Sequence, residues 1–134
     1  MRTVFAGLAG LAMLAGGVTD THADPAMECD SGNVSQVEIH DCLVAVEKNV
    51  NAALATVFGF AMDAASELDK VTAPRADTVP ALKAAQKAWW AYRDSHCDYV
   101  GTTYGGGSGT GIAVLGCRIE LARDRSGELM KSIR

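Results

Sequence analysis

The apolar residues of this chain recur with the period of an α-helix over most of its length. In the longest run they step by 4, 4, 3, 4, 3 and 4 residues, so all of them share one stripe of a helix. The stripe comprises Val46, Val50, Leu54, Val57, Ala61, Ala64 and Leu68. Ser35 and Glu38 fit a capping box at the start of this helix, and Pro74 predicts that the helix ends just before that residue.

Two further helices are predicted in the second half of the chain. Pro80 suits the first turn of a helix, and Thr78 is placed to cap it. The apolar stripe of this helix comprises Leu82, Ala85, Trp89, Tyr92, His96 and Tyr99. The stripe of the last helix comprises Ile112, Leu115, Ile119, Ala122 and Leu129. Because no segment after the first two dozen residues alternates like a strand, we predict an all-α fold, an antiparallel three-helix bundle with a long first helix.

Six glycines among the eleven residues 101–111 predict a loop between the second and third helices. The segment is not a nucleotide-binding loop, because it contains no G-x-G-x-x-G, no Lys follows Gly111 and no strand precedes it. Two interpretations stay open: a flexible connector, or a contact element whose thin backbone enters a narrow sugar-binding groove. Tyrosine would supply apolar area and a hydroxyl at small entropic cost. The predicted contact residues are Tyr104, Gly105, Gly106, Gly107 and Ser108.

The N-terminal residues are typical of an export signal. Arg2 supplies a positive charge, residues 4–18 are uncharged and mainly apolar, and Thr21-His22-Ala23 fits a small-x-small cleavage site. The apolar run is shorter than the roughly 20 residues that span a bilayer as a helix. We therefore predict a signal peptide at residues 1–23, a mature domain at residues 24–134 that is periplasmic or secreted, and no membrane insertion of the mature form.

All four cysteines lie after the predicted cleavage site, in a chain expected to reach an oxidising compartment. Cys29, Cys42, Cys97 and Cys117 therefore predict two disulfides. In an up-down-up bundle these positions lie near one end, so proximity leaves all three pairings open. We favour Cys29 with Cys42 and Cys97 with Cys117, because each pair closes a short loop. The cysteine spacings match no zinc module, and we expect neither a metal site nor a cofactor.

The chain is acidic, with a formal net charge of −4. It lacks the basic balance that binding to nucleic acid or to an anionic membrane needs, so no nucleic-acid partner is expected. The sequence contains no G-x-S-x-G and no H-E-x-x-H, and paired cysteines leave no nucleophilic thiol. We therefore predict a binding protein and not an enzyme, with a cationic partner favoured.

The second predicted helix carries a specific motif. From Leu82 to Cys97 it reads L-K-x-x-Q-x-x-W-x-x-Y-R-D-x-x-C, which resembles the signature of the LprI-type lysozyme-inhibitor family of small exported bacterial proteins. Cys117 and the basic segment after it, which ends in R-x-x-E-L, are similar to the last helix of that family. With Cys29 and Cys42 upstream, the resemblance covers essentially the whole mature chain.

The resemblance implies an all-helical, disulfide-bonded domain that inhibits lysozyme. The partner would be lysozyme or a related basic glycan hydrolase, which an acidic inhibitor attracts over long range. We interpret the motif residues as mainly structural, because several of them step along one helix face. Arg93 would stack or pair inside the bundle, and Gln86 would satisfy a buried backbone group. The motif residues are Leu82, Gln86, Trp89, Tyr92, Arg93 and Asp94.

The expected function is therefore a periplasmic or secreted inhibitor that binds a lysozyme-type peptidoglycan hydrolase and blocks its active-site cleft. Such a cleft works with two carboxyl groups, to which the loop N–H groups and the Ser108 hydroxyl could donate hydrogen bonds. The alternative is a periplasmic binding, immunity or structural helical protein that acts on another envelope target. In a purely structural protein, the loop would tolerate replacement by any linker.

Overall fold

The computed structural model describes residues 24–72, 74 and 77–133. Four helices lie within them: α1 (Pro25–Cys29), α2 (Gln36–Thr72), α3 (Thr78–Thr102) and α4 (Gly109–Ser132). No strand occurs in these ranges, and the prediction of an all-α fold is confirmed. The short helix α1 adds to the three predicted helices, and its five residues are too few for an apolar period to show. The predicted signal peptide, residues 1–23, lies outside the described residues.

Local hydrogen bonds define where the long helices begin. The predicted capping box is confirmed: the Ser35 N–H donates to Glu38 Oε2 at 2.7 Å, and the Glu38 N–H donates to Ser35 Oγ at 3.3 Å. The prediction that Thr78 caps α3 is wrong. The Asp69 carboxylate, near the end of α2, accepts bonds from the N–H groups of Thr78 and Val79 at 2.8 and 3.0 Å. One acidic side chain therefore joins the end of α2 to the start of α3.

Two clusters of buried apolar residues join α2 to α4. The first cluster consists of Ile39, Leu43, Leu115 and Ile119. The second cluster consists of Leu54, Ala61, Ala122 and Leu129. Since the residues of both helices ascend from the first cluster to the second, α2 and α4 run in the same direction. α3 runs the opposite way, because Cys97 is bonded to Cys117 of α4 whereas the earlier Gln86 contacts the later Arg125 of the same helix.

The buried face of α3 differs from the predicted apolar stripe. Ala85, Tyr92 and Tyr99 are exposed, so their placement in the stripe is wrong. The buried residues of α3 are Gln86, Arg93, Cys97 and Gly101. Most residues on this buried face are polar or small. The apolar period in the sequence therefore identified the neighbouring aromatic edge of α3 and not its buried face. The interpretation that Gln86 and Arg93 face the other helices agrees with their exposure of only 7% each.

Both disulfides have the pairing that we favoured, in which each bond closes a short loop. Cys29 is bonded to Cys42 and ties α1 to α2, and Cys97 is bonded to Cys117 and ties α3 to α4. The paired cysteines are separated by 13 and 20 residues along the chain. All four lie at the end of the bundle where α3 connects to α4, which we call the loop end. The opposite end, where α2 connects to α3, is the far end.

The glycine-rich segment is a loop over only part of the predicted range 101–111. α3 continues to Thr102 and α4 begins at Gly109, so residues 103–108 alone form the connection. Two of the glycines instead allow helices to approach closely. A Cβ atom on Gly101 would lie 2.7 Å from Val114 Cγ2, and one on Gly111 would lie 3.4 Å from His40 Cδ2. Glycine content alone did not distinguish close helix packing from a loop.

α2 is long and apolar enough to cross a membrane, judged by its length and composition alone. Only 11% of its most apolar stretch of 18 residues is buried inside the structure. Core helices of soluble proteins, which are mostly buried, and signal sequences near the N-terminus pass the same test. In this fold α2 buries the side that meets α3 and α4, and its exposed residues include Val44 and Phe60.

Candidate functional site

Arg93 of the α3 motif is buried inside the bundle. Its guanidinium carbon lies 4.2 Å from the ring centroid of Trp90 and 5.8 Å from that of Trp89, which are cation–π distances. Arg93 Nη1 donates to Asn51 Oδ1 at 3.2 Å, and Nη2 donates to Asp94 Oδ1 at 2.7 Å. The side chain therefore stacks and pairs within the protein, and it positions α3 against α2.

A second polar contact joins α3 to α4. Gln86 Oε1 accepts a hydrogen bond from Arg125 Nε at 3.0 Å, and Arg125 Nη1 pairs with Glu128 Oε2 at 3.0 Å. The expectation that Gln86 satisfies a backbone group is wrong, because its partner is a side chain of the R-x-x-E-L segment. Leu82 and Trp89 pack, partly buried, against the second cluster. The two motif segments thus contact each other and hold the bundle together.

Tyr92 faces outward in a row of aromatic rings along the edge of α3. It stacks on His96 with ring centroids 5.3 Å apart, and the His96 centroid lies 6.5 Å from that of Tyr99. Tyr92 and Tyr99 are both more than half exposed. His96 is half-buried and, with Tyr104 of the connection, lines a groove at the loop end. The aromatic edge of α3 therefore leads to the predicted contact residues.

The connection, residues 103–108, consists of consecutive tight turns. Gly105 and Gly106 adopt φ angles of 65° and 78°, in the left-handed region that favours glycine. The N–H groups of Tyr104, Gly105 and Gly107 donate to backbone carbonyl groups of residues 101, 102 and 104. These three amides are therefore used internally, whereas donation to a partner by the other N–H groups of the segment and by the Ser108 hydroxyl stays a prediction. The Tyr104 side chain is 55% exposed and remains available for contact.

A groove of about 500 Å³ opens beside the connection. Its floor is α4, one wall is the end of α3 with the connection, and the other wall is α1 with the start of α2. The residues that give it its chemical character are Gly116 and Glu120 on the floor, His96 and Tyr104 on one wall, and Asp24 and Asp30 on the other. Of the predicted contact residues, Tyr104 lines this groove, whereas Gly105, Gly106, Gly107 and Ser108 lie outside its lining.

The lining of the groove contains acidic residues, of which Glu120 interacts with Arg123 outside the lining. Asp24, Asp30 and Glu120 line the groove, and no Lys or Arg belongs to the described part of its lining. Asp24 Oδ1 accepts a hydrogen bond from the Ala26 N–H at 2.9 Å, and Asp30 Oδ1 accepts one from the Gly32 N–H at 2.8 Å. These bonds hold both carboxylates in place at the two ends of α1. Nowhere in the described ranges do three His, Cys, Asp or Glu residues group as metal ligands would.

Two bonds fix the α1 wall to the rest of the bundle. The first is the Cys29–Cys42 disulfide. The second is a bidentate ion pair in which Arg123 Nη1 and Nη2 donate to Glu28 Oε1 and Oε2 at 2.6 and 2.8 Å. The hydrogen bonds from Arg123 hold the pKa of the Glu28 carboxyl below its ordinary value. A helix of five residues is not stable by itself, so these bonds keep the wall in place.

Sequence reasoning missed α1 and therefore the groove. The available signal was Asp24 followed by Pro25, a capping residue before a proline at the first helical position. Those two residues directly follow the predicted cleavage site. We therefore expected the start of the mature chain there and not the start of a helix. The carboxylates Asp30 and Glu120 carry no motif, and only the fold brings them together.

Comparisons with known proteins give one family. The family described as lysozyme inhibitor LprI matches residues 26–129. An uncharacterised protein of Rhizobium meliloti (strain 1021) is 35% identical over 100 residues, which cover 72% of this chain and 72% of that relative. No solved structure gives a significant match. The matched range includes all four cysteines, the α3 motif and the connection.

Proposed function

Because the chain belongs to the lysozyme inhibitor LprI family, we propose that it inhibits a lysozyme-type peptidoglycan hydrolase by binding the enzyme and covering its active-site cleft. The observation that carries this proposal is the family match, which extends over most of the chain. An inhibitor acts by binding, so we assign no catalytic residues. Cleavage of the predicted signal peptide at residues 1–23 would release the protein into the periplasm or the medium, where such hydrolases act.

The loop end is the surface that we assign to the hydrolase. Tyr104 stands exposed on turns whose backbone is fixed by internal hydrogen bonds. The Cys97–Cys117 disulfide joins the two helices that lead into and out of the connection. A preorganised aromatic side chain loses little conformational freedom on binding, and tyrosine is common among residues that dominate interfaces. The net charge of −4 adds long-range attraction to a basic enzyme.

A lysis assay tests the proposal. The protein, purified after export of the full-length chain, is added with a chicken-type lysozyme to lysozyme-sensitive bacterial cells, and the fall in turbidity is followed. We expect slower lysis with the native protein, and a weaker inhibition constant for Tyr104→Ala by about 30-fold, equivalent to about 2 kcal/mol. Phe60→Ala is the matched control, since Phe60 is also an exposed aromatic residue but lies on α2, away from the loop end.

Two outcomes would contradict the proposal in different ways. Undiminished lysis at micromolar inhibitor would reject a chicken-type lysozyme as the target. Equal inhibition by the native protein and Tyr104→Ala would reject the loop end as the binding surface. Circular dichroism of each variant confirms that the helices are retained before inhibition is compared.

A further inference from the structure

The α1 wall of the groove presents the carboxylates of Asp24 and Asp30, and the described lining contains no Lys or Arg. Glu120 on the floor interacts with Arg123, and cleavage before Asp24 would add one α-ammonium to this wall, so the two aspartates give the groove its acidic character. The bonds that Asp24 and Asp30 accept from nearby N–H groups each use one oxygen, Oδ1. A carboxylate has about four acceptor sites, so these bonds leave capacity for a cationic donor. The chemistry of this wall therefore favours a cation over an anion or an apolar group.

The opposite wall offers aromatic rings. Tyr104 and His96 line it, and His96 is held in position by stacking on Tyr92 with centroids 5.3 Å apart. A cation between carboxylates and an aromatic face gains both ion pairing and attraction to the ring. The guanidinium of arginine is planar and suits both contacts, and the ammonium of lysine suits them as a point charge.

The floor leaves space for such a side chain. Gly116 of α4 lines the groove, and a Cβ atom built on it would meet no other atom within 4 Å. The neighbouring residues Gly109 and Ala113 are also small. The groove, at about 500 Å³, is large enough for one long side chain and part of the segment that carries it.

We propose that this groove binds an arginine or lysine side chain presented by the partner protein. The identification of that partner as a hydrolase rests on the function proposed above, whereas the preference of the groove for a cation does not. Charge complementarity selects this occupant, because Asp24 and Asp30 present carboxylates and the described lining contains no Lys or Arg. The groove thus supplies a second contact beside Tyr104, on the same end of the bundle.

A titration followed by ¹⁵N NMR tests the groove directly. The exported protein is titrated with Nα-acetyl-arginine amide, and separately with Nα-acetyl-glutamine amide at the same concentrations. We expect saturable shifts of the amides of Met27, Ala113 and Gly116 with the arginine probe alone. Shifts that are absent, or spread over all exposed carboxylates without saturation, would overturn the proposal.

Steric and charge variants sharpen the test. Gly116→Leu fills the groove, and Gly127→Leu is its matched control, because a Cβ on Gly127 of the same helix also meets nothing within 4 Å. Asp24→Asn with Asp30→Asn removes two charges and keeps the acceptor oxygens. Asp63→Asn with Asp77→Asn removes two exposed charges away from the groove. We expect the groove variants to weaken arginine binding by at least about tenfold, and the controls to change it less than about twofold.

The same variants in the lysis assay separate the two proposals. Weaker inhibition by Gly116→Leu and the Asp24/Asp30 variant, with unchanged controls, supports the groove as part of the inhibitory surface. Full inhibition by both variants rejects the groove while the proposed function stands. If the arginine probe shifts only the groove amides but the protein does not inhibit lysozyme, the cation site is supported. Lysozyme is then rejected as the protein that supplies the cationic side chain.

Discussion

The loop end and the far end of the bundle are stabilised by different means. Both disulfides and the Glu28–Arg123 ion pair lie at the loop end. Toward the far end the described elements are joined by apolar packing, by the Gln86–Arg125 contact and by the bonds from α3 to Asp69. A small cavity of about 210 Å³ remains there, lined mainly by alanine and leucine. Covalent bonds are therefore concentrated where the groove and the exposed connection occur.

This difference follows from what each end has to hold in place. α1 has five residues, and the connection has six, so neither segment can bury enough apolar surface to order itself. The far end is formed by the ends of long helices that are already packed against each other. These helices therefore do not need cross-links. A binding surface made of short segments requires fixed attachment points, because ordering them during binding would weaken the affinity.

The largest expected effect concerns the apolar packing of the second cluster. Leu54 is fully buried there, so Leu54→Ala should lower the free energy of unfolding by about 3 to 4 kcal/mol through lost burial and a residual cavity. Urea denaturation followed by circular dichroism measures the change. Leu68→Ala, on the same helix but about half exposed, is the control and should cost less than about 1 kcal/mol. Equal losses in the two variants would show that the second cluster is not the core.

The next effect concerns the covalent bonds at the loop end. Cys97→Ala with Cys117→Ala should lower the free energy of unfolding by about 3 kcal/mol, because the unfolded chain regains the freedom of the closed loop. The same urea experiment, run without reductant, measures the loss. Inhibition should weaken as well, since the helices on either side of the connection are no longer cross-linked.

The other disulfide provides the comparison. Cys29→Ala with Cys42→Ala should cost less global stability, because α1 can detach while α2, α3 and α4 remain packed. Hydrogen exchange of the α1 amides should accelerate in this variant, and exchange in the two clusters should stay slow. If both double variants lose the same global stability, α1 is an integral part of the core and not an attached wall.

The fold was largely predictable because the apolar period of α2 and α4 is strong. Leu54, Ala61, Ile119 and Leu129 were placed in stripes, and all four are buried. The period failed for α3, where the buried positions are occupied by Gln86 and by other polar or small residues. A buried polar side chain whose hydrogen-bond partner is distant in sequence adds nothing to the apolar period of its own helix.

The candidate site was predictable only at Tyr104. Its exposure followed from a glycine-rich segment, although part of that segment proved helical. The groove depends on bringing α1 beside α4, and this placement comes from Cys29–Cys42 and from Glu28–Arg123. Sequence reasoning favoured the correct disulfide, but it assigned no structure to the segment that the disulfide holds. An ion pair between residues so distant in sequence has no local signature at all.

The smallest expected effect is the dependence of α1 on pH. The carboxylate of Glu28 is stabilised by hydrogen bonds from Arg123, which lower its pKa from an ordinary value of 4.5. A group with a lowered pKa in the folded state stabilises that state above its unfolded pKa, and the contribution is lost as the pH falls through the folded value. The attachment of α1 should therefore hold at neutral pH and weaken below about pH 4.5.

Hydrogen exchange of the Cys29 and Asp30 amides, compared with that of amides in α4 over the acidic range, measures this weakening. Glu120 also faces Arg123 electrostatically, and Asp69 at the far end has a pKa lowered by bonds from Val79 and Thr78, so acid affects more than one site. Glu28→Gln separates them, because it removes only the titration of the ion pair that joins α1 to α4. In that variant, α1 should exchange faster at neutral pH and respond little to acid, whereas exchange at the start of α3 should still respond. If acid accelerates exchange in α1 of the variant as much as in the native protein, the disulfide and not the ion pair determines how the groove wall is held.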